Sequence, residues 1–215
     1  MKLFIPLLLC FFSFNVSAAL QGITDEGDVV VLNSDGTWFY AEDKPIEEFE
    51  ISNNPGVFKT PASANFVLKS KKNNATFAFN TKQWVFEKST TDDSAIEYAL
   101  TLKAGDLYAR VITERIQINN KELTEIALDN AKNVAPNAKV IKKEYRMVNG
   151  KKMIYMEMVG TMKGIEFQYL GYYYSDASGS TQYVTFTGAS LVEKYRAEID
   201  DLLNGFAIAE SKESK

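Results

Sequence analysis

Between residues 96 and 103 apolar and polar side chains alternate, with Ile96, Tyr98, Leu100 and Leu102 set against Glu97, Ala99, Thr101 and Lys103. A period of two puts each set on its own face, which predicts a strand with one buried face. Ala104-Gly105-Asp106 turns the chain, and Leu107 to Glu114 returns beside it. Upstream, Phe66 to Ser70 and Ala75 to Asn80 read as strands around the polar turn Lys71 to Asn74. Downstream, four strands come in quick succession. Lys139 to Val148 meets Asn149-Gly150, a pair suited to the positive φ angles of a tight hairpin. Lys151 to Gly160 runs back, Met162-Lys163-Gly164 turns it, and Ile165 to Tyr174 and Thr181 to Gly188 flank a Gly/Ser turn. Links this short imply antiparallel neighbours. Phe206 to Ile208 adds a last short strand.

The period changes twice. Leu123, Ile126, Ala127 and Ala131 recur at helical spacing behind Asn120, read as an N-cap, and Pro136 stops the helix. Leu191, Tyr195, Ile199, Leu202 and Leu203 make a second stripe; Ser190 and Glu193 are spaced as a capping box, and Asn204-Gly205 supplies the stop. A helix with one apolar stripe covers a sheet face. Residues 65–209 are therefore expected to form an α+β domain, a central antiparallel sheet sandwiched by helices, followed by a frayed tail at 210–215.

The N-terminal part differs. Met1-Lys2, an apolar run from Leu3 to Phe14 and the small residues Ser17-Ala18-Ala19 read as an export signal at 1–18, cleaved after Ala18. The run is short for a bilayer span and broken by Pro6, and Leu9 before Cys10 is too large for a lipoprotein signal. Residues 19–41 hold three short β-like stretches separated by Asp25-Glu26-Gly27-Asp28 and Asn33-Ser34-Asp35-Gly36, a small β meander. Residues 42–64 are acidic and carry Pro45, Pro55 and Pro61, the composition of a linker or strap.

Composition narrows the chemistry. The only cysteine, Cys10, leaves with the signal, and the chain has no histidine. These absences exclude Ser-His-Asp and Cys-His catalysis, His or Cys zinc sites and His-held haem. No cofactor or metal site is expected. Losing Lys2 leaves 23 basic against 28 acidic residues, a net charge of −5, which offers nucleic acid no general attraction. The expected location is the periplasm or the medium, with no stable membrane anchor after cleavage.

Several short words occur in a familiar order: Phe77-Ala78-Phe79-Asn80 leading to Trp84; Leu107-Tyr108-Ala109-Arg110-Val111-Ile112-Thr113-Glu114 before the first helix; Val148-Asn149-Gly150 in a hairpin; Tyr169-Leu170-Gly171-Tyr172-Tyr173-Tyr174 before a Gly/Ser turn; and Leu203-Asn204-Gly205 closing the second helix. In these the stretch from Phe66 to Ile208 resembles the PsbP/Mog1-like group. The resemblance implies a central antiparallel sheet sandwiched by helices, and a binding or accessory role rather than an enzyme. The group spans photosystem extrinsic subunits, a nuclear transport factor and bacterial envelope proteins. Histidines that bind metal in some relatives have no counterpart here. The meander around Asp35-Gly36-Thr37-Trp38 resembles small SH3-like appendages of other exported bacterial proteins.

Three constellations remain. Alternation puts Ile165, Phe167, Tyr169, Gly171 and Tyr173 on one face and Leu170, Tyr172 and Tyr174 on the other. If helices cover one face only, Tyr172 and Tyr174, with Tyr183 across the turn, form a candidate binding surface; if both faces are covered they are core. Met147, Met153, Met156, Met158 and Met162 either fill core or hold Cu(I) or Ag(I). Glu97, Glu114, Glu144, Glu157 and Glu166 either form surface pairs with residues such as Arg110 and Arg146 or supply a carboxylate pair. The leading expectation is a non-catalytic periplasmic accessory or binding protein whose partner is an envelope protein or a small ligand. The alternatives are a histidine-free carboxylate hydrolase and a methionine-based soft-metal carrier.

Overall fold

A computed structural model describes residues 20–23, 29–32, 36, 38–40, 49–91 and 94–209. The expected export signal and cleavage site, and the expected frayed tail at 210–215, lie outside the described residues. The chain divides into two units, Met1–Glu48 and Phe49–Lys215. In the first, β1 (Leu20–Ile23), β2 (Val29–Leu32) and β3 (Trp38–Tyr40) form an antiparallel sheet in the order β1-β2-β3. Val30 is buried in it, whereas Trp38 is half exposed.

The second unit is built on an eight-stranded sheet. Its strands are β4 (Ser52–Phe58), β7 (Trp84–Lys88), β8 (Ile96–Leu102), β9 (Tyr108–Glu114), β10 (Lys139–Val148), β11 (Lys151–Met162), β12 (Ile165–Asp176) and β13 (Gly179–Gly188). They lie in the order β4-β10-β11-β12-β13-β9-β8-β7. Every neighbouring pair is antiparallel except β4 with β10. Asn149 and Gly150, with φ of 47° and 82°, turn the β10–β11 hairpin, and Lys163 and Gly164, at 51° and 80°, turn β11 into β12. Consecutive positive φ values give a tight turn the twist of its flanking strands.

The expected sheet sandwiched by helices is not what forms. The molecule is mostly β, and one face of the large sheet is covered chiefly by a second sheet of β5 (Phe66–Lys69), β6 (Ala75–Phe79) and β14 (Phe206–Ile208), in the order β14-β6-β5. One short helix, α2 (Arg196–Asn204), shares that side. Phe77, Phe79, Leu100, Tyr155, Tyr172, Tyr183, Leu203 and Phe206 belong to this core. The physical reason is that Phe77 and Phe79 are long enough to fill the space between two sheets, so β6 does the work assigned to a helix. The other face carries α1 (Asn120–Val134), packed over Ile154, Met156, Met158 and Tyr173.

Three local expectations also change. Residues 42–64 are not all linker, since β4 extends the sheet by a parallel edge. Pro55 is tolerated there because an edge strand leaves amides unpaired, and Gly56 N–H donates to Asn54 Oδ1 at 2.8 Å beside a register shift. The α1 N-cap is Asn119, whose Oδ1 accepts from Lys121 N–H at 2.9 Å. The Ser190–Glu193 capping box does not form: a 3₁₀ turn occupies Ala189–Leu191, α2 starts six residues after Ser190, and Glu193 instead pairs with Arg196 at 2.9 Å.

Candidate functional site: an apolar groove beside the first helix

The first helix covers only part of its face, and both its ends are pinned. At the N-terminal end Asn120 Oδ1 accepts from Ser175 N–H at 2.6 Å, and Ile118 N–H donates to Ser175 Oγ at 3.0 Å. At the C-terminal end Asn137 Oδ1 accepts from Thr161 N–H at 2.8 Å and its Nδ2 donates to Thr161 Oγ1 at 3.0 Å. These ties hold α1 over β10, β11 and β12. The same face of β13, β9 and β8 is left to form, with the flank of α1, an open groove of about 330 Å³.

Its walls are apolar. The sheet supplies Tyr169, Val184, Phe186, Ile112 and Ile96, and the helix supplies Ala127, Ala131 and Val134 together with the polar Asn130. Ile96 and Val134 are 39% and 56% exposed. The presence of Ile96 here corrects the alternation read for residues 96–103. A register shift between Ile96 and Tyr98 marks a bulge that turns Ile96 away from Leu100, while Glu97 faces inward. Glu97 accepts from Ser70 Oγ, Lys71 N–H and Thr113 Oγ1 at 2.8, 2.7 and 2.7 Å. Glu97 thus has the hydrogen bonds a buried carboxylate needs, and the groove gains an apolar rim.

Two polar residues on the floor stand out. Arg110 lies over the Phe186 ring at 5.3 Å, and its Nη1 donates to Ala109 O at 2.9 Å. It has no carboxylate partner among the described residues. Gln182 is 7% exposed, and its side-chain amide has no hydrogen-bond partner among them. Val184 sits opposite Arg110 and Gln182 opposite Ile112, so Arg110 and Gln182 are diagonal neighbours on one face.

The residues singled out from the sequence lie elsewhere. Tyr172 and Tyr183 are fully buried under the second sheet and α2, and Tyr174 is half-buried at the margin of that core. Burial pushes the Tyr172 hydroxyl up to about 12 against the opposing pull of Arg146; the hydroxyl accepts from Arg146 Nη1 at 3.3 Å and donates to Asn204 Oδ1 at 3.0 Å. Met153 is in the same core, Met156 and Met158 are buried beneath α1, and Met147 is exposed. Alternation had separated the two tyrosine sets correctly, but the groove uses Tyr169 and Tyr173 rather than Tyr172 and Tyr174.

The carboxylates are engaged structurally. Glu144 Oε1 accepts from Arg146 Nε at 2.5 Å and from Asn54 Nδ2 at 3.0 Å. Burial raises the Glu144 pKa, but these bonds and the charges of Arg146 and Lys142 outweigh it and hold the carboxyl below its ordinary value. The Arg146 guanidinium in turn lies 3.4 Å from the Tyr155 ring centroid and 4.6 Å from that of Phe58. Glu157 accepts from Tyr155 Oη at 2.8 Å and Gln168 Nε2 at 2.7 Å, with Arg196 Nη1 at 3.6 Å. Burial raises the pKa of Asp200 against the charges of Arg196 and Arg146. Neither the groove nor a polar pocket of about 400 Å³ near Lys71 and Arg115 is lined by Glu144, Glu157 or Asp200, whereas Glu97, held by its three hydrogen bonds, lines the polar pocket. Among the described residues no three His, Cys, Asp or Glu side chains cluster as metal ligands, and no helix is long and apolar enough to cross a membrane.

Comparison with known proteins places the fold. No sequence-family model matches the chain, and no curated protein matches it in sequence. Among solved structures, the cyanobacterial PsbP (CyanoP) of Synechocystis sp. PCC 6803 aligns with a TM-score of 0.52 at 10% identity, over 69% of this chain and 95% of that one. A Pseudomonas aeruginosa protein of unknown function, PA94, aligns with a TM-score of 0.43 at 7% identity, over 68% and 98%. The first likeness supports a PsbP-like fold.

Proposed function

We propose that this chain is a non-catalytic binding protein of the cell envelope, exported by its N-terminal signal, that holds an apolar ligand in the groove beside α1. The groove carries this reading. It is concave, open and lined by aromatic and aliphatic side chains with few polar groups, the composition of a small-molecule site. Its volume is at the lower end of the range of about 300–1,000 Å³ for such sites. The state of Glu144 fits the same reading. A general acid needs a raised pKa and access to substrate, yet Glu144 is held low and tied to Arg146, and neither cavity reaches it. Kinship with the PsbP/Mog1-like group, and of the meander with SH3-like appendages, belongs to this proposal as well.

The test uses protein recovered from the periplasm of an expressing cell, its N-terminus read by mass spectrometry. Titration with the neutral fluorophore N-phenyl-naphthylamine is expected to saturate at one site. Ala131→Trp, which fills the groove from its helical wall, is expected to weaken that binding by at least about tenfold. A signal that Ala131→Trp leaves unchanged would reject the groove as the site. Absence of the chain from the periplasmic fraction would reject the export part, and periplasmic protein that still begins at Met1 would reject cleavage of the signal.

A further inference from the structure

Two polar residues of the groove's sheet floor, Arg110 and Gln182, specify what kind of apolar ligand it takes. Arg110 is the one charged side chain among the residues lining the groove. Its guanidinium keeps most of its donors free, because among the described residues its only side-chain hydrogen bond is the one to Ala109 O. Half-buried on this apolar floor, the cation has no carboxylate beside it among the described residues. Gln182, nine-tenths buried and without a partner, adds an amide N–H donor one diagonal step away on the same face. Phe186 lies under the guanidinium, 5.3 Å from its central carbon, in a cation–π contact. Away from this pair the lining turns to Ala127, Ala131, Val134, Met158 and Tyr169, with Asn130 of the helix as its one amide. The groove therefore has an anion-seeking spot and an apolar remainder.

Building on the groove reading, we propose that its ligand is an amphipathic anion of the fatty-acid kind, with its carboxylate at Arg110 and Gln182 and its alkyl body along α1. Charge complementarity is the argument. A carboxylate takes two parallel N–H bonds from a guanidinium, which a neutral head group cannot do. A neutral apolar ligand would leave the guanidinium and the amide desolvated without partners, and a cationic one would be repelled.

The experiment compares decanoate, decanol and decylammonium, each below its micelle concentration, by calorimetric titration of the wild-type chain and of Arg110→Met. Methionine keeps an apolar stem over Phe186 and removes only the charge and the donors. Decanoate is expected to bind the wild type at least about tenfold more tightly than decanol, with decylammonium weakest. Arg110→Met is expected to lose that preference by weakening decanoate while leaving decanol unchanged, which also shows that the variant is folded. Equal binding of decanoate and decanol to the wild type, or a preference that survives in Arg110→Met, overturns the anion proposal and leaves the groove standing. If no member of the series binds while N-phenyl-naphthylamine does, the anion proposal is rejected and the groove stands; if neither binds, both are rejected.

Discussion

Gln182 and Tyr183 are adjacent on β13, and neither side chain has a hydrogen-bond partner among the described residues. The pleat sends them to opposite faces, and their situations are opposite too. Gln182 looks into an open groove where a ligand or water can satisfy it. Tyr183 is sealed between the sheets, its ring edge-on to Phe77 at 4.9 Å and to Phe206 at 6.2 Å, with no atom for its hydroxyl to bond. Desolvation alone raises the Tyr183 pKa, as it does for a phenol that gains nothing from its surroundings. An unpaired buried hydroxyl costs about 1–3 kcal/mol, whereas the ring contacts would be unchanged in phenylalanine. Tyr183→Phe is therefore expected to stabilise the protein by about 1 kcal/mol, measured by urea denaturation, and a loss of stability would mean that the hydroxyl has a partner. The sequence pointed at Tyr183 and passed over Gln182, because an aromatic residue carries a large burial signal and a lone glutamine carries none. Arg110 was legible as a strand residue, but its freedom from a carboxylate depends on which strands neighbour β9, and that is a fact of topology.

At the scale of elements, Asn149 does more than its dipeptide announces. Asparagine before glycine predicts the turn, and the positive φ at both residues agrees. The same side chain also accepts from Thr60 N–H at 2.9 Å and donates to Asn204 O at 2.8 Å and Phe206 O at 2.7 Å. It thereby joins the hairpin tip to the exit of β4 and to the junction of α2 with β14. Asn149→Gly keeps the turn and removes the ties, so it is expected to cost about 2–3 kcal/mol at roughly 1 kcal/mol for each. A cost within a few tenths, measured by denaturant unfolding, would reduce Asn149 to a turn residue. Gly205 shows a similar shift of role. Its place after Asn204 predicts a helix stop, for which a left-handed conformation is usual, yet its φ is −73°. Glycine is needed there because a Cβ would run into the carbonyl oxygen of Ala78 where β14 meets β6. Strands whose turns and alternation agreed were legible: β8 to β13 were all expected. The elements missed were β4, whose Pro55 reads as a breaker, and β7, which has no alternation of burial beyond Trp84. The bulge at Glu97 was hidden for a related reason, since an inserted residue preserves the pattern of letters while reversing the faces.

At the scale of the whole molecule, the limits of the folding unit follow from where its cores draw their members. Both cores of the second unit take their residues from between Ile51 and Ile208. Composition placed the start of this domain at residue 65, because acidic and proline-rich stretches look like linkers. The contacts of the preceding residues contradict that boundary. Asn54 donates to Glu144, Phe58 underlies the Arg146 guanidinium, and Asn149 N–H donates to Phe58 O at 2.9 Å. A fragment beginning at Phe49 keeps these, and is expected to unfold in one cooperative transition when followed by circular dichroism. A fragment beginning at Asn65 loses the parallel edge and leaves the Glu144–Arg146 pair open to water on one side. The lost β4–β10 ladder and the Asn54 bond to Glu144, at about 1 kcal/mol for each hydrogen bond, with the Phe58 ring on Arg146, sum to several kcal/mol, so the shorter fragment is expected to melt about 10 °C lower or to populate a partly folded state. Equal midpoints would return the boundary to residue 65 and make β4 a dispensable strap. Both fragments retain α1 and the strands that line the groove, so N-phenyl-naphthylamine binding separates the two effects: the longer fragment binds as the whole chain does, and the shorter binds equally well wherever it is still folded.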